Sequence, residues 1–264
     1  MRANYPIDVN KGGNMNIKYN TSNLVAHYAN NRRSWEDFYP SEQYIFDKVM
    51  EECFPKKVDI LDAGCACGGL GETLEARYSN IAYYCGIDIN EEEISYAQIN
   101  STLKIPHDFV CGDIAKFNGD QLYDIVISLS CVDWNVETDK MLNMCWDKTK
   151  PGGYMIVSLR LTNGRTINNI SEGYQYIAFD KDGEKSTEIA NYVVYNWKEI
   201  IEKFCAFDHQ ADLIKAFGYW GKPSDTAVIE YDRLCFTVFA LRKNTEKIGK
   251  GQILDFKGPV DLFM

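Results

Sequence analysis

Residues 58–74 read VDILDAGCACGGLGETL. A short apolar run ends at Asp62, and the small residues Gly64, Ala66, Gly68, Gly69 and Gly71 crowd a turn before a helical pattern begins. Glycines at such a place permit a tight turn and let a ligand lie against the backbone and the helix N-terminus. Structural turns and several kinds of nucleotide site share that pattern. The next segment, CGIDINEEE, narrows the choice, because it brings a second strand to its end at Asp88, 20 residues after Gly68. A carboxylate there can accept both hydroxyls of a ribose. It can also serve a turn or a helix cap, although Asn90, followed by three glutamates, is the better cap. A dinucleotide asks for glycine where this chain has Ala66, whose methyl group obstructs the approach of a pyrophosphate. Asp113, in VCGDI, adds another carboxylate to the same rim. Two carboxylates and a polar glycine turn suit a neutral nucleoside that carries an amine and a positive charge.

Outward from this segment, short apolar runs alternate with amphipathic stretches. VDILD (58–62), IAYYCGID (81–88), DFVCGD (108–113), YDIVISL (123–129) and GYMIVSL (153–159) read as strands, with helices over 69–78, 91–103 and 137–149 between them. Such alternation implies a parallel sheet covered on both faces, with right-handed crossovers. A further helix is expected over 41–53, where Ile45, Phe46, Val49, Met50 and Cys53 recur at helical spacing. In the last third, WKEIIEKFCAF puts Trp197, Ile200, Ile201 and Phe204 on one helical face. AVIEYDRLCFTVFALRK (227–243) reads as two strands joined by a turn, giving the sheet an antiparallel C-terminal pair. The fold expected is therefore α/β, a three-layer sandwich around a mostly parallel sheet. Its parts are an N-terminal leader and lid over 1–40, a main domain over 41–243 with an insertion at 160–196, and a tail over 244–264 without clear pattern.

Composition sets bounds. At 264 residues the chain suits one α/β domain of ordinary size. It has 28 Lys plus Arg against 38 Asp plus Glu, a net charge of −10, which argues against a nucleic-acid binder because phosphate contacts need a basic footprint. No run of 18 apolar residues is present to span a membrane, and the first 20 residues lack the apolar core of a signal peptide. The nine cysteines include no CxxC, so neither a zinc site nor a disulfide framework is indicated and no metal is expected. Reduced thiols used as small apolar residues in a cytoplasmic protein fit better.

With DAGCACGG (62–69), GIDI (86–89), GDI (112–114), YDIVISLSCVDW (123–134) and KPGGYMIVSL (150–159) in order, the chain resembles a class I S-adenosylmethionine-dependent methyltransferase, with its Rossmann-like sandwich. The likeness is best over 58–160 and extends to about 243; Ala66 stands where glycine is commoner. It implies that S-adenosylmethionine is the cofactor, with Asp62, Gly64 and Gly68 cradling its methionine part. Asp88 would bind the ribose, Ile89 would lie against the adenine, Asp113 would bind the adenine amine, and Ile114 would add a nearby contact. Ser130 would stand by the methionine end.

Methyl transfer is an in-line displacement, so positioning supplies much of the rate and a base is often needed. SCVDWN (130–135) follows the fourth strand into the expected acceptor region. Asp133 is the first candidate for contacting or deprotonating the acceptor, against a bland role capping the helix from 137. Trp134 can wall the pocket or pack in the core. His27, His107 and His209, the last near the start of a late helix, are weaker candidates. Tyr19, Tyr28, Arg32, Arg33, Trp35 and Tyr39 can fold over the cofactor, where an arginine would suit its carboxylate. Within 160–196, YQYIAF and TEIANYVVYN flank DKDGEKS as a β-hairpin, and Arg160 and Arg165 can meet an acidic substrate or water. The acceptor expected is a small molecule methylated at oxygen or nitrogen, a sugar or phosphorylated metabolite among those permitted. A non-catalytic cofactor-binding sensor or assembly subunit would carry the same motifs, and a dinucleotide oxidoreductase would share the topology. Nothing in the sequence sets the oligomeric state.

Overall fold

The structure, a computed structural model, describes residues 24–30, 32–117, 120–177, 188–246 and 251–264. Its central sheet begins with the five strands read from the apolar runs: β1 (Val58–Ala63), β2 (Ile81–Asp88), β3 (His107–Cys111), β4 (Tyr123–Ser128) and β5 (Thr149–Thr162). All four neighbouring pairs are parallel, in the order β3-β2-β1-β4-β5. Strands of this kind are buried on both faces, so adjacent residues enter different cores. Ile60, Ile125 and Ile156 pack into one layer, whereas Leu61, Val126 and Met155 pack into the other. Chain order reverses between β1 and β4, and the crevice beyond the strand ends at such a reversal is where open α/β sheets hold ligands.

The two layers are helical. Before the sheet lie α1 (Leu24–Asn30) and α2 (Pro40–Cys53). Pro40 occupies the first helical position, where its missing N–H costs nothing, and the Glu42 side chain turns back to accept the Tyr39 N–H at 2.8 Å. The apolar face of α2 buries Ile45, Phe46, Val49 and Met50. Helices α3 (Gly69–Arg77) and α4 (Glu91–Asn100) join α2 on that side, with Leu74 and Ile94 buried among them. On the other side α5 (Thr138–Lys148) buries Met141, Leu142 and Trp146, and α6 (Trp197–Cys205) buries Ile200 and Phe204. Asn196 caps α6 by accepting from Lys198 N at 2.9 Å.

A small antiparallel sheet is formed by β6 (Tyr174–Tyr176) and β7 (Ile189–Asn191), the observed arms of the expected hairpin; DKDGEKS lies outside the described residues. β8 (Tyr195–Asn196) then returns to β5. Because β5 runs on to Thr162, Arg160 belongs to the strand and the insertion begins after it.

The antiparallel end of the main sheet lies elsewhere than 227–243 suggested. Its pair is β9 (Ala211–Gly221) with β11 (Leu234–Lys243), and β11 also runs antiparallel to β5. β10 (Ala227–Val228) instead joins β6 in the small sheet. In the tail, β12 (Ile253–Lys257) adds a parallel edge strand to β9. His209 sits in the turn before β9 with φ 65°, not at the start of a helix. Among the described residues no helix is long and apolar enough to cross a membrane.

Candidate active site

A cavity of about 460 Å³ opens beyond the carboxyl ends of β1, β2 and β4. Every sequence-derived cofactor residue lines it except Gly68. Gly68 is the turn residue at the start of α3, with φ 80°, and a Cβ there would come within 2.7 Å of the Phe109 ring. It shapes the loop from behind. Gly64 lies in the wall with φ 90°, and a Cβ on it would fall 2.4 Å from Cys131 Sγ. Ala66 also occupies the left-handed region, at φ 46°, and its N–H donates to Asp88 Oδ2 at 3.0 Å. The first turn is thus tied to the end of β2.

Asp88 Oδ1 accepts the Asn90 N–H at 2.9 Å, while Asn90 caps α4 as expected. Asp113 is a cap as well as a wall residue, accepting from Ala115 N at 3.0 Å. Asp62 is buried, and the Tyr84 hydroxyl donates to its Oδ2 at 2.6 Å. Burial pushes the Asp62 carboxyl up to about 7, against that bond and the nearby Arg32. Burial raises Asp88 too, against the backbone N–H groups that favour its charged form.

Glu93, read in the sequence as one of three glutamates at a helix start, faces the same cavity. It is 4% exposed, its Oε1 has no hydrogen-bond partner, and burial with the Asp88 charge pushes it up to about 8. The signal that could have located it is its position in the first turn of α4, one helical turn beyond the Asp88 loop.

The N-terminal segment closes one side. Tyr28, Arg32 and Tyr39 line the cavity, and Arg32 is held by Glu42 at 2.7 Å. Arg33 pairs with Glu72 at 2.5 Å, and Trp35 packs edge-on to Tyr78 beneath Arg77. Gly69 lets this segment dock, since a Cβ there would come within 2.5 Å of the Arg32 carbonyl oxygen. His27 lines the cavity; Tyr19 lies outside the described residues.

A second cavity of about 480 Å³ shares Tyr39, Ser130 and Trp134 with the first. Asp133, in a 3-10 turn after β4, and Arg160, near the end of β5, lie in its wall and are 3% and 4% exposed. Arg160 Nη2 approaches Asp133 Oδ2 to 3.0 Å. The guanidinium also lies 3.7 Å from the Tyr192 ring centre, a close cation–π contact. Arg160 is therefore neither solvated nor at a loop. Asp133 does not cap the following helix, whose N-cap is Glu137. Burial raises the Asp133 carboxyl while Arg160 opposes the rise. A carboxylate so placed can accept a proton, and the Arg160 charge favours its ionised form against the burial. Arg165 is exposed between Glu172 and Glu230 and lines neither cavity.

The insertion roofs this second cavity. The Val193 N–H donates to the Asp133 carbonyl at 3.0 Å, Ser224 N–H to the Tyr192 hydroxyl at 3.4 Å, and Gln175 Nε2 to Ser224 Oγ at 3.1 Å. Gln175, Glu42 and Lys222 were not singled out in the sequence, because their cavity is assembled from segments far apart in the chain.

Residues 60–153 match a protein family described as a methyltransferase domain. The chain is 27% identical over 168 residues to malonyl-[acyl-carrier protein] O-methyltransferase of Haemophilus influenzae, covering 61% of this chain and 60% of that one. It is 25% identical over 119 residues to ubiquinone biosynthesis O-methyltransferase of Bradyrhizobium diazoefficiens, covering 45% and 46%. The matches thus span about 60% or less of these relatives' lengths. Among solved structures, an S-adenosylmethionine-dependent methyltransferase from Clostridium acetobutylicum superposes with a TM-score of 0.49 at 17% identity, over 76% of this chain and 89% of that one.

Proposed function

We propose that this chain is a class I methyltransferase and uses S-adenosylmethionine to methylate an oxygen or nitrogen of a small-molecule acceptor. The observation that carries this reading is the pairing of two joined cavities, one rimmed by Asp62, Asp88 and Glu93 and the other containing the buried Asp133–Arg160 pair. The first fits the cofactor in size and donor set. Pockets of 300–1,000 Å³ are usual for small ligands. Asp88, at the end of β2, offers oxygens to ribose hydroxyls, and the unpartnered Glu93 Oε1 asks for a further polar group of the ligand. When bound there, S-adenosylmethionine supplies a methyl carbon on a positively charged sulfur, which keeps the bonding electron pair as the methyl group leaves.

The protein's own part is positioning and proton removal. The Gly64–Ala66 turn and Asp88 hold the nucleoside, Arg32 offers a cation to the amino-acid carboxylate of the cofactor, and Ile89, Asp113 and Ile114 wall the base. Ser130 and Trp134, common to both cavities, mark the passage between cofactor and acceptor. Asp133 receives the proton that the acceptor oxygen or nitrogen gives up as its new bond to carbon forms, and the Arg160 charge favours the ionised carboxylate beforehand. The nine free thiols support a cytoplasmic location.

The test is to incubate the purified chain with S-adenosylmethionine and a protein-free metabolite extract, and to quantify S-adenosylhomocysteine. The expected result is extract-dependent formation that Asp133→Asn slows by about 10²–10⁴-fold. Cofactor binding without extract-dependent turnover would favour the sensor or assembly-subunit reading instead.

A further inference from the structure

Buried polar atoms in folded proteins nearly always have hydrogen-bond partners, and those that do not ask for a ligand or an ion. Asp133 Oδ1, Arg160 Nη2 and Gln175 Oε1 all lack one, and all three residues line the second cavity. The 3.0 Å approach of Arg160 Nη2 to Asp133 Oδ2 neutralises charge without hydrogen-bond alignment. Two acceptors and one donor are left, so a complementary ligand offers two donors and one acceptor.

Charge narrows the ligand further. The charged residues in the wall are Glu42, Asp133, Arg160, Lys222 and Asp225, and Glu42 is already neutralised by Arg32. The remaining acids and bases balance. A phosphate group placed here would bring acceptors only, leave Asp133 and Gln175 unpaired, and stand against the carboxylates. An amine cation would bring donors only and face Arg160. An apolar chain would satisfy none of the three atoms. Trp134, Tyr192 and Phe236 provide flat apolar walls suited to the face of a ring.

We infer that the second cavity takes a neutral ring bearing two neighbouring hydroxyls. This deepens the methyl-transfer reading above and rests on it. One hydroxyl donates to Asp133 Oδ1 and accepts from Arg160 Nη2, and the other donates to Gln175 Oε1. On reaction the first O–H bond breaks with its proton passing to Asp133, an oxygen–carbon bond forms, and the carbon–sulfur bond breaks with its electron pair left on sulfur. The product is a mono-methyl ether, which can no longer donate to Asp133 through the methylated oxygen.

The test titrates chain saturated with S-adenosylhomocysteine with matched probes: catechol and cis-1,2-cyclohexanediol, their single-hydroxyl counterparts phenol and cyclohexanol, and phenyl phosphate. One of the diols is expected to bind at least about tenfold tighter than its single-hydroxyl counterpart, as one satisfied buried acceptor implies. Which diol it is distinguishes an aromatic from an aliphatic ring. Gln175→Leu, a partly exposed position away from the ion pair, is expected to erase that advantage while S-adenosylhomocysteine affinity stays the same. Equal binding of diols and single alcohols, no diol binding at millimolar concentration, or preference for the phosphorylated probe would overturn the inference. Failure of S-adenosylhomocysteine itself to bind would overturn the methyl-transfer reading, and this inference with it.

Discussion

The two cavities share a wall at Tyr39, Ser130 and Trp134 but are assembled in opposite ways. Apart from its N-terminal cover, the first is made mainly of consecutive strand-to-helix turns, so that Asp62, Asp88 and Asp113 reach one rim because their parallel strands end there. The second collects β5, β11, the turn after β4, the start of α2, the insertion and the 222–225 loop. The first is a property of the sheet's order, and the second is a property of what has been added to the sheet. Binding of a common cofactor and choice of a particular acceptor can therefore change independently. Variants on the two sides should separate in their effects.

The largest separation is expected at Asp133. Asp133→Asn removes the proposed proton acceptor and should slow turnover by about 10²–10⁴-fold. Affinity for S-adenosylhomocysteine, measured by calorimetry on the same sample, should stay unchanged. Equal loss of both would place Asp133 in the cofactor half and dissolve the distinction. Asp88→Ala is the converse. Losing charge-assisted bonds to two ribose hydroxyls should weaken S-adenosylhomocysteine by about 100-fold, while equilibrium binding of the chain's acceptor to cofactor-free protein persists.

A smaller effect sharpens the cofactor side through pH. Glu93 ionises near 4.5 in its ordinary state and only at about 8 in the folded chain. The folded state thus keeps a proton that the unfolded chain releases, and stability declines as pH climbs from the lower value to the higher. Glu93→Gln removes that loss. Its melting temperature should match the wild type at about pH 4 and exceed it at about pH 9, by roughly 2–4 °C for each kcal/mol relieved. A gain that is the same at both pH values would show that the carboxyl does not titrate in this way.

The contrast between the cavities also explains what could be read from the chain without a structure. The cofactor half lies in short segments where a strand end, a glycine turn and an acidic residue are neighbours, so spacing singles out Asp88 and the Asn90 cap, while Asp62 is pointed to by the family resemblance. Glu93 was hidden because glutamate at a helix start is ordinary on electrostatic grounds alone. On the acceptor side, nothing in the sequence ties Asp133 to Arg160, 27 positions away, and Arg160 looked like a loop residue because β5 continues past the apolar run that announced it. β9 escaped notice for a packing reason. Gly218 interrupts its pattern, yet a Cβ there would meet Thr237 Oγ1 at 2.4 Å, so close pairing with β11 requires that interruption. β12 is mostly exposed and held by its backbone ladder to β9, which leaves no apolar alternation to read.

The central claim is that the rim of Asp62, Asp88 and Glu93 receives S-adenosylmethionine and not a dinucleotide. Calorimetric titration of the purified chain with S-adenosylhomocysteine, and separately with NAD, tests it most directly. Saturable binding of S-adenosylhomocysteine at one site per chain is expected, with a matching rise in melting temperature, and no binding of NAD. Binding of NAD without binding of S-adenosylhomocysteine would contradict it, because the Ala66 turn would then be accommodating a pyrophosphate.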